Sequence, residues 1–209
     1  MTNVRVSEMD KYTANTDPYE CIRKWCKKLY GKYIEHADRF YFDRICIVVY
    51  HAFYQYMNVF VILHNIRSAH NVGSIFRTGD GAGVSKIYLT GYTPAPIDRF
   101  GRPHPEILKT SLGAVQTVPY EVIPDVQQLI ANLKKEGVCI VAVEQTKKAH
   151  NYKQCSLERD TAFIFGNEIT GIEEELLNSV DEQILVPMYG AKESLNVSVC
   201  AGIILFHFR

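Results

Sequence analysis

From residue 59 onward, apolar and polar stretches alternate along the chain in a regular order. "VFVILH" (59–64) is a short β-branched run that reads as a strand. In "SAHNVGSIFRTGDGAG" (68–83), Val72, Ile75 and Phe76 fall at helical spacing and the glycines that follow stop the helix. "KIYLTG" (86–91) reads as a second strand, and a long polar turn, "YTPAPIDRFGRPHP" (92–105), follows it. "PEILKTSLGA" (105–114) predicts a short helix, "VQTVPYEV" (115–122) a strand, and "DVQQLIANLKKEG" (125–137) an amphipathic helix with a glycine stop. "VCIVAVEQT" (138–146) and "TAFIFGN" (161–167) are apolar without alternation, as strands covered on both faces are. "IEEELLNSV" (172–180) reads as a helix whose early acidic residues suit its positive end, with Thr170 as a candidate cap. "EQILVPM" (182–188) is a further strand, and "SLNVSVCAGIILFHF" (194–208) a closing helix with Ser194 as candidate N-cap. This order predicts an α/β fold with a mostly parallel sheet flanked by helices.

In such sheets ligands bind beyond the carboxyl ends of the strands. Three predicted strands end in turns suited to that role: Glu144-Gln145-Thr146, Gly166-Asn167-Glu168 and Pro187-Met188-Tyr189-Gly190. The last runs into Ser194, Asn196 and Ser198, more hydrogen-bonding side chains than a plain helix start uses. Residue types there favour a lined site over capping alone. Arg77 is either a surface residue with its stem along the helix or a cleft residue, because it abuts both an apolar pair and the glycine cluster; spacing does not decide. "GDGAGV" (79–84) is not a dinucleotide fingerprint, since its glycines follow a helix and precede a strand. A left-handed helix end explains them.

Composition narrows the classes. Of 209 residues 47% are hydrophobic and 22% charged, a globular rather than a disordered balance. Formal net charge is +0, which excludes retention on nucleic acid by bulk charge and leaves only a local basic patch for phosphates. Cys21, Cys26, Cys46, Cys139, Cys155 and Cys200 form no CxxC pair. They read as free thiols of a reducing compartment, and no metal is expected. The window 45–64 is apolar, but His51, Gln55 and Asn58 interrupt it, and no membrane span is expected. The opening "MTNVRVSEMDKYTANTD" lacks the apolar core of a signal peptide, so the expected location is cytoplasmic.

Three segments in this order, "NIRSAHNVGSIFRTGDGAG", "FIFGNEITGI" and "ILVPMYGAKESLNVSVCAGI", resemble the motifs of the TrmH (SpoU) family of the SPOUT superfamily, RNA ribose 2′-O-methyltransferases. "EILKTSLGA" (106–114) adds to the likeness, which covers residues 58 to about 207. The resemblance implies a deep trefoil knot at the C-terminal end of the fold, with S-adenosylmethionine held in its loops. It implies that Gln145, Thr146, Gly166, Val186, Met188, Leu195 and Asn196 border the cofactor, with Gly166 leaving room and Val186 and Leu195 touching the adenine. Arg77, Asn71, Glu168, Ser194 and Asn196 match the family's catalytic and substrate-positioning residues. Arg77 is the expected main catalytic residue, whether as base, through a phosphate or by electrostatics alone. A homodimer that shares its RNA site is implied, with tRNA or rRNA as substrate. The alternatives are an RNA-binding protein that keeps the knot without catalysis and an enzyme that methylates a base nitrogen.

The resemblance divides the chain into an N-terminal extension, 1–56, and a methyltransferase domain, 57–209. Lys and Arg interleave with aromatics before residue 57, and three readings stand: an RNA-binding extension, packing structure, or a start placed upstream of the true one at Met57. The short end at Arg209 is expected to trim the RNA platform or the dimer surface.

Overall fold

The structure is a computed structural model, and it describes residues 57–209. The expectations for residues 1–56, including Cys21, Cys26, Cys46 and most of the apolar window 45–64, lie outside the described residues.

Seven strands form one sheet in the order β3-β2-β1-β6-β4-β7-β5, and every pairing between them is parallel. In chain order they are β1 (Val59–His64), β2 (Lys86–Thr90), β3 (Tyr120–Val122), β4 (Cys139–Val143), β5 (His150–Asn151), β6 (Thr161–Phe165) and β7 (Glu182–Leu185). The helices are α1 (Ala69–Gly81), α2 (Pro105–Ser111), α3 (Ala114–Thr117), α4 (Val126–Lys135), α5 (Glu174–Leu177) and α6 (Val197–His207).

The two apolar runs without alternation are β4 and β6. All five residues of β6 are buried, as are Ile140, Val141, Ala142 and Val143 of β4. Helices cover both faces, so neither face of these strands needs polar residues. Each buried Phe or Ile here contributes roughly 1.5–3 kcal/mol of burial energy. On one face Phe208, just past α6, stacks on Phe163 with ring centroids 5.1 Å apart. On the other, Leu129, Ile130 and Leu133 of α4 pack on Ile140, Ala162 and Ile164.

The chain runs outward from β1 to β2 and β3, then returns across the sheet to β4 on the other side of β1. That reversal opens a crevice at the carboxyl ends of the strands, where β6 and β4 stand beside β1. After β7, α6 comes back to pack on α1, and the loop of residues 186–196 crosses the ends of β4 and β6 on the way.

Several local expectations are corrected. Residues 114–117 form a helical turn, not the start of a strand, because Gly113 takes φ +94 and restarts a helix; β3 keeps three residues. Glu173, not Thr170, is the N-cap of α5, which is only four residues long; Asn167 already draws the Thr170 N–H into a turn. Asn196, not Ser194, caps α6: its Oδ1 accepts from the Ser198 N–H at 2.9 Å. The two-residue strand β5, which pairs with β7, had no sequence signal of its own. Glycines do end α1, through Gly83 at φ +65.

Candidate active site

A cleft of about 260 Å³ opens at the carboxyl ends of β4, β6 and β7. Its apolar wall is Val143, Phe165, Leu185, Val186, Leu195 and Val197; its polar rim includes Glu144, Gln145, Asn167, Glu168 and Ser194. Two of the strand-end turns singled out from the sequence, those at Glu144-Gln145 and Gly166-Asn167-Glu168, therefore meet here; the third, residues 187–190, lies outside the lining, and Leu185 and Val186 before it and Glu193, Ser194 and Leu195 after it take its place.

Hydrogen bonds fasten the three motif segments around it. The Glu168 carboxylate accepts from the backbone N–H of Arg67 at 2.9 Å and of Ser68 at 3.1 Å, and from Asn71 Nδ2 at 2.9 Å. Ser68 is the N-cap of α1 and Arg67 precedes it, and the positive end of that helix favours an anion. Asn71 Oδ1 then accepts from Asn196 Nδ2 at 3.2 Å, and Asn196 Oδ1 accepts from the Ser198 hydroxyl at 2.7 Å. Asn196 thus caps its own helix and joins it to α1. Partial burial alone would raise the Glu168 pKa, but the N–H of Arg67, the Asn71 amide and the N–H of Ser68 hold it below the usual carboxylate range. An anion fixed by three donors is an anchor, not a proton acceptor.

The sequence-predicted residues divide in two. Gln145, Gly166, Glu168, Val186, Ser194 and Leu195 line the cleft. Thr146 and Met188 are outside its lining; Thr146 donates instead to Gln183 Oε1 on β7 at 2.7 Å. Asn71 and Asn196 stand behind Glu168 rather than in the wall. Gln145 ties two cleft loops together, its Nε2 donating to the Val186 carbonyl at 2.7 Å. Gly166 is small for its own loop's sake as well: a Cβ there would meet the Gly171 carbonyl oxygen at 2.8 Å.

Arg77 is exposed on α1 and does not line the cleft of its own chain. Six residues advance a helix by about 600°, so Asn71 and Arg77 leave α1 on different sides. Among the described residues the Arg77 side chain has no hydrogen-bond or ion-pair partner.

Sequence reasoning placed two further residues in the strand-end turns without giving either a role. Glu144 accepts from the N–H of Gln145 at 2.8 Å and of Ile172 at 3.0 Å, which pins the turn after Gly171. Asn167 is buried; its Oδ1 accepts from the N–H of Ile169 and Thr170, and its Nδ2 donates to the Asn65 carbonyl and the Tyr92 hydroxyl. The only sequence signal for either was a polar residue closing a buried strand.

Among the described residues one group of side chains has the chemistry to ligate a metal. His150, Cys155 and Glu182 come together on the β5–β7 edge, with His150 Nε2 at 2.8 Å and Cys155 Sγ at 3.5 Å from the Glu182 carboxylate. Residues far apart in the chain meet there only through sheet pairing. Burial, then the Glu182 charge, pushes the Cys155 thiol far up, so it stays protonated and donates to Glu182. Cys139, Cys155 and Cys200 are free thiols.

The fold and this cleft define an α/β protein with its ligand site at the strand ends. The sequence profile of the SpoU rRNA Methylase family matches residues 58–206, and the chain belongs to that family. It is 32% identical over 149 residues to the 23S rRNA (guanosine-2′-O-)-methyltransferase RlmB of Neisseria meningitidis, covering 71% of this chain and 57% of that protein. It is 34% identical over 146 residues to the tRNA (guanosine(18)-2′-O)-methyltransferase of Thermus thermophilus, covering 70% of this chain and 71% of that protein. The solved structure of the TrmH/SpoU tRNA modifying enzyme of A. aeolicus superposes with a TM-score of 0.64 at 29% identity, over 72% of this chain and 73% of that one. An AdoMet-bound rRNA methyltransferase from Sinorhizobium meliloti superposes with a TM-score of 0.66 at 28% identity, over 73% of this chain and 56% of that one.

Proposed function

We propose that this protein transfers a methyl group from S-adenosylmethionine to a ribose 2′-OH of tRNA or rRNA. The observation that carries the reading is the hydrogen-bonded series Glu168–Asn71–Asn196, which clamps three separate segments around one cleft. Family membership and the named activities of the relatives support it.

The cleft fits the proposed cofactor: its wall is apolar, as an adenine face requires, and Gly166 lets backbone approach closely. Gln145, Gly166, Val186, Ser194 and Leu195 would hold it, and the Thr146–Gln183 bond supports the turn behind Gln145. When bound, the cofactor supplies an activated methyl group on a sulfonium. The chain must then align the ribose hydroxyl and stabilise the charge that develops on it. Asn71 and Asn196 keep the loops in place for that task. Arg77 is the candidate for clamping the neighbouring phosphate, because a guanidinium is always charged and binds phosphate bidentately.

Arg77 does not line its own cleft, and in a homodimer Arg77 of one copy would reach the site of the other. Helix α6 supports this reading. It is apolar nearly all round, with Val199 51% and Phe206 58% exposed, and a helix apolar on every side is normally covered. The reading also includes a trefoil knot formed as the loop of residues 186–196 returns over the ends of β4 and β6, held by the Gln145–Val186 bond. The proposed location is the cytoplasm; among the described residues no helix is long and apolar enough to cross a membrane.

The test pairs calorimetric titration of S-adenosylmethionine with methyl transfer to unmodified tRNA and rRNA, for wild type and Arg77→Ala. The expected result is equal cofactor binding, with transfer lost by more than a hundredfold in the variant and a product resistant to alkaline cleavage. A product that alkali still cleaves means base methylation. No cofactor binding by folded protein leaves an RNA-binding protein.

A further inference from the structure

The turn between β2 and α2 contains a small structure of its own. Ile97 and Pro103 form an antiparallel bridge. Inside it the Asp98 carboxylate accepts from the N–H of Phe100 and of Arg102, both at 2.8 Å. The Asp98 N–H donates to the Arg102 carbonyl at 2.9 Å, and Gly101 takes φ +77, which favours glycine. His104 closes the base by donating its N–H to the Pro96 carbonyl at 2.8 Å.

All this internal order presents one aromatic ring to solvent. Phe100 is 64% exposed, with the guanidinium carbon of Arg99 at 4.8 Å and that of Arg102 at 4.9 Å from its ring centroid. An exposed ring contributes almost nothing to a core, and exposed cation–π contacts are weak. Asp98 lies 3.6 Å from Arg102 Nε, but that pair is solvent-exposed and leaves the guanidinium available. What the ring does is gather two guanidinium groups around itself.

The turn is also joined to the cleft. The Tyr92 hydroxyl at its root accepts from Asn167 Nδ2 at 2.7 Å, and the Tyr92 N–H donates to Asn65 Oδ1 at 3.2 Å. Asn167 lines the cleft. β2 stands two strands from β6, about 10 Å at ordinary strand spacing, with its carboxyl end on the same edge.

We propose that residues 97–103 form an RNA-gripping arm in which Phe100 holds Arg99 and Arg102 as a paired guanidinium clamp on phosphates near the nucleotide to be modified. The inference rests on the reading under Proposed function and adds where the RNA is held. A chain of formal net charge +0 must bind phosphate locally, and this turn is a preorganised place to do it. The ring edge and the guanidinium planes also suit stacking with an unpaired base.

The test measures binding of labelled, unmodified tRNA and rRNA to the full chain across a salt series. It compares wild type, Arg99→Ala/Arg102→Ala, Phe100→Ala and Phe100→Tyr, with S-adenosylmethionine affinity and circular dichroism confirming the fold of each. The double variant is expected to bind RNA at least tenfold more weakly, with a salt slope shallower by about 1.4–1.8 for two lost phosphate contacts. Its KM for RNA rises while kcat and cofactor affinity hold. Phe100→Ala weakens binding and Phe100→Tyr, which keeps the ring faces, does not. If wild type binds RNA and the double variant matches it in affinity and slope, the arm is overturned and the functional reading stands. If wild type binds neither RNA, both fall together.

Discussion

At the scale of single residues, the site depends on side chains that hold the backbone more than on any that could exchange a proton. Glu168 is the example. Removing its carboxylate strands two N–H groups at the start of α1 and the Asn71 amide. Glu168→Ala is expected to destabilise the protein by about 1–3 kcal/mol and to weaken cofactor binding. Glu168→Gln keeps an acceptor oxygen and loses less. Thermal unfolding and calorimetry on both variants check this; equal losses would show that the charge, not the hydrogen bonding, is what counts. His64 gives the pH dependence. It is buried between Thr90 Oγ1 at 2.8 Å and the Glu173 carboxylate at 3.1 Å, and burial depresses its pKa more than Glu173 raises it. A depressed histidine is kept neutral by folding, so its contribution is complete above the unfolded value of about 6.5. It is lost as pH falls from there through the lower folded value. The melting temperature of wild type should therefore drop between pH 7.5 and 5.5 by more than that of His64→Asn. Identical pH profiles would remove His64 from the account.

At the scale of elements, the sheet was legible because its central strands are buried on both faces and so carry unbroken apolar runs. The helix starts were less so. Ser194, Asn196 and Thr170 all have capping chemistry, and only the path of the chain selects Asn196. The contact between α1 and α2 was silent in the sequence. Gly73 faces α2 so closely that a Cβ would come within 2.6 Å of the Ile107 carbonyl oxygen. Backbone cannot yield there as a flexible side chain can. Gly73→Ala should cost roughly 1–3 kcal/mol through overpacking, despite alanine's better helix propensity. Chemical denaturation measures it, and a stabilised variant would mean that the two helices are free to separate.

At the scale of the whole molecule, the question is how Arg77 reaches a site. Phe206 and Val199 leave an apolar surface on α6, the helix that packs on α1. Phe206→Glu places a charge on that surface without touching the cleft. Light scattering should show a dimer for wild type and a monomer for the variant. Methyl transfer should fall with dimerisation while the variant keeps its affinity for S-adenosylmethionine. A monomeric variant with full activity would remove the shared site and require Arg77 to act within its own chain or not at all.

The sequence by itself determined the α/β class and two of the strand ends that meet at the cleft, and its family resemblance pointed to Gln145, Gly166, Glu168, Val186, Ser194 and Leu195 in the lining. Apolar runs, glycines and clustered amides are local signals, and each can be read without knowing what faces it. Tertiary structure decided the partnerships. It turned Glu168 into an anchor, because the start of α1 is a hundred residues away in the chain and beside it in space. It drew Thr146 toward Gln183 and assembled His150, Cys155 and Glu182 on one edge. It also kept Arg77 out of the cleft's lining. Such pairings depend on strand order and helix rotation, which arise from packing the whole sheet and leave no trace in the spacing of the residues involved.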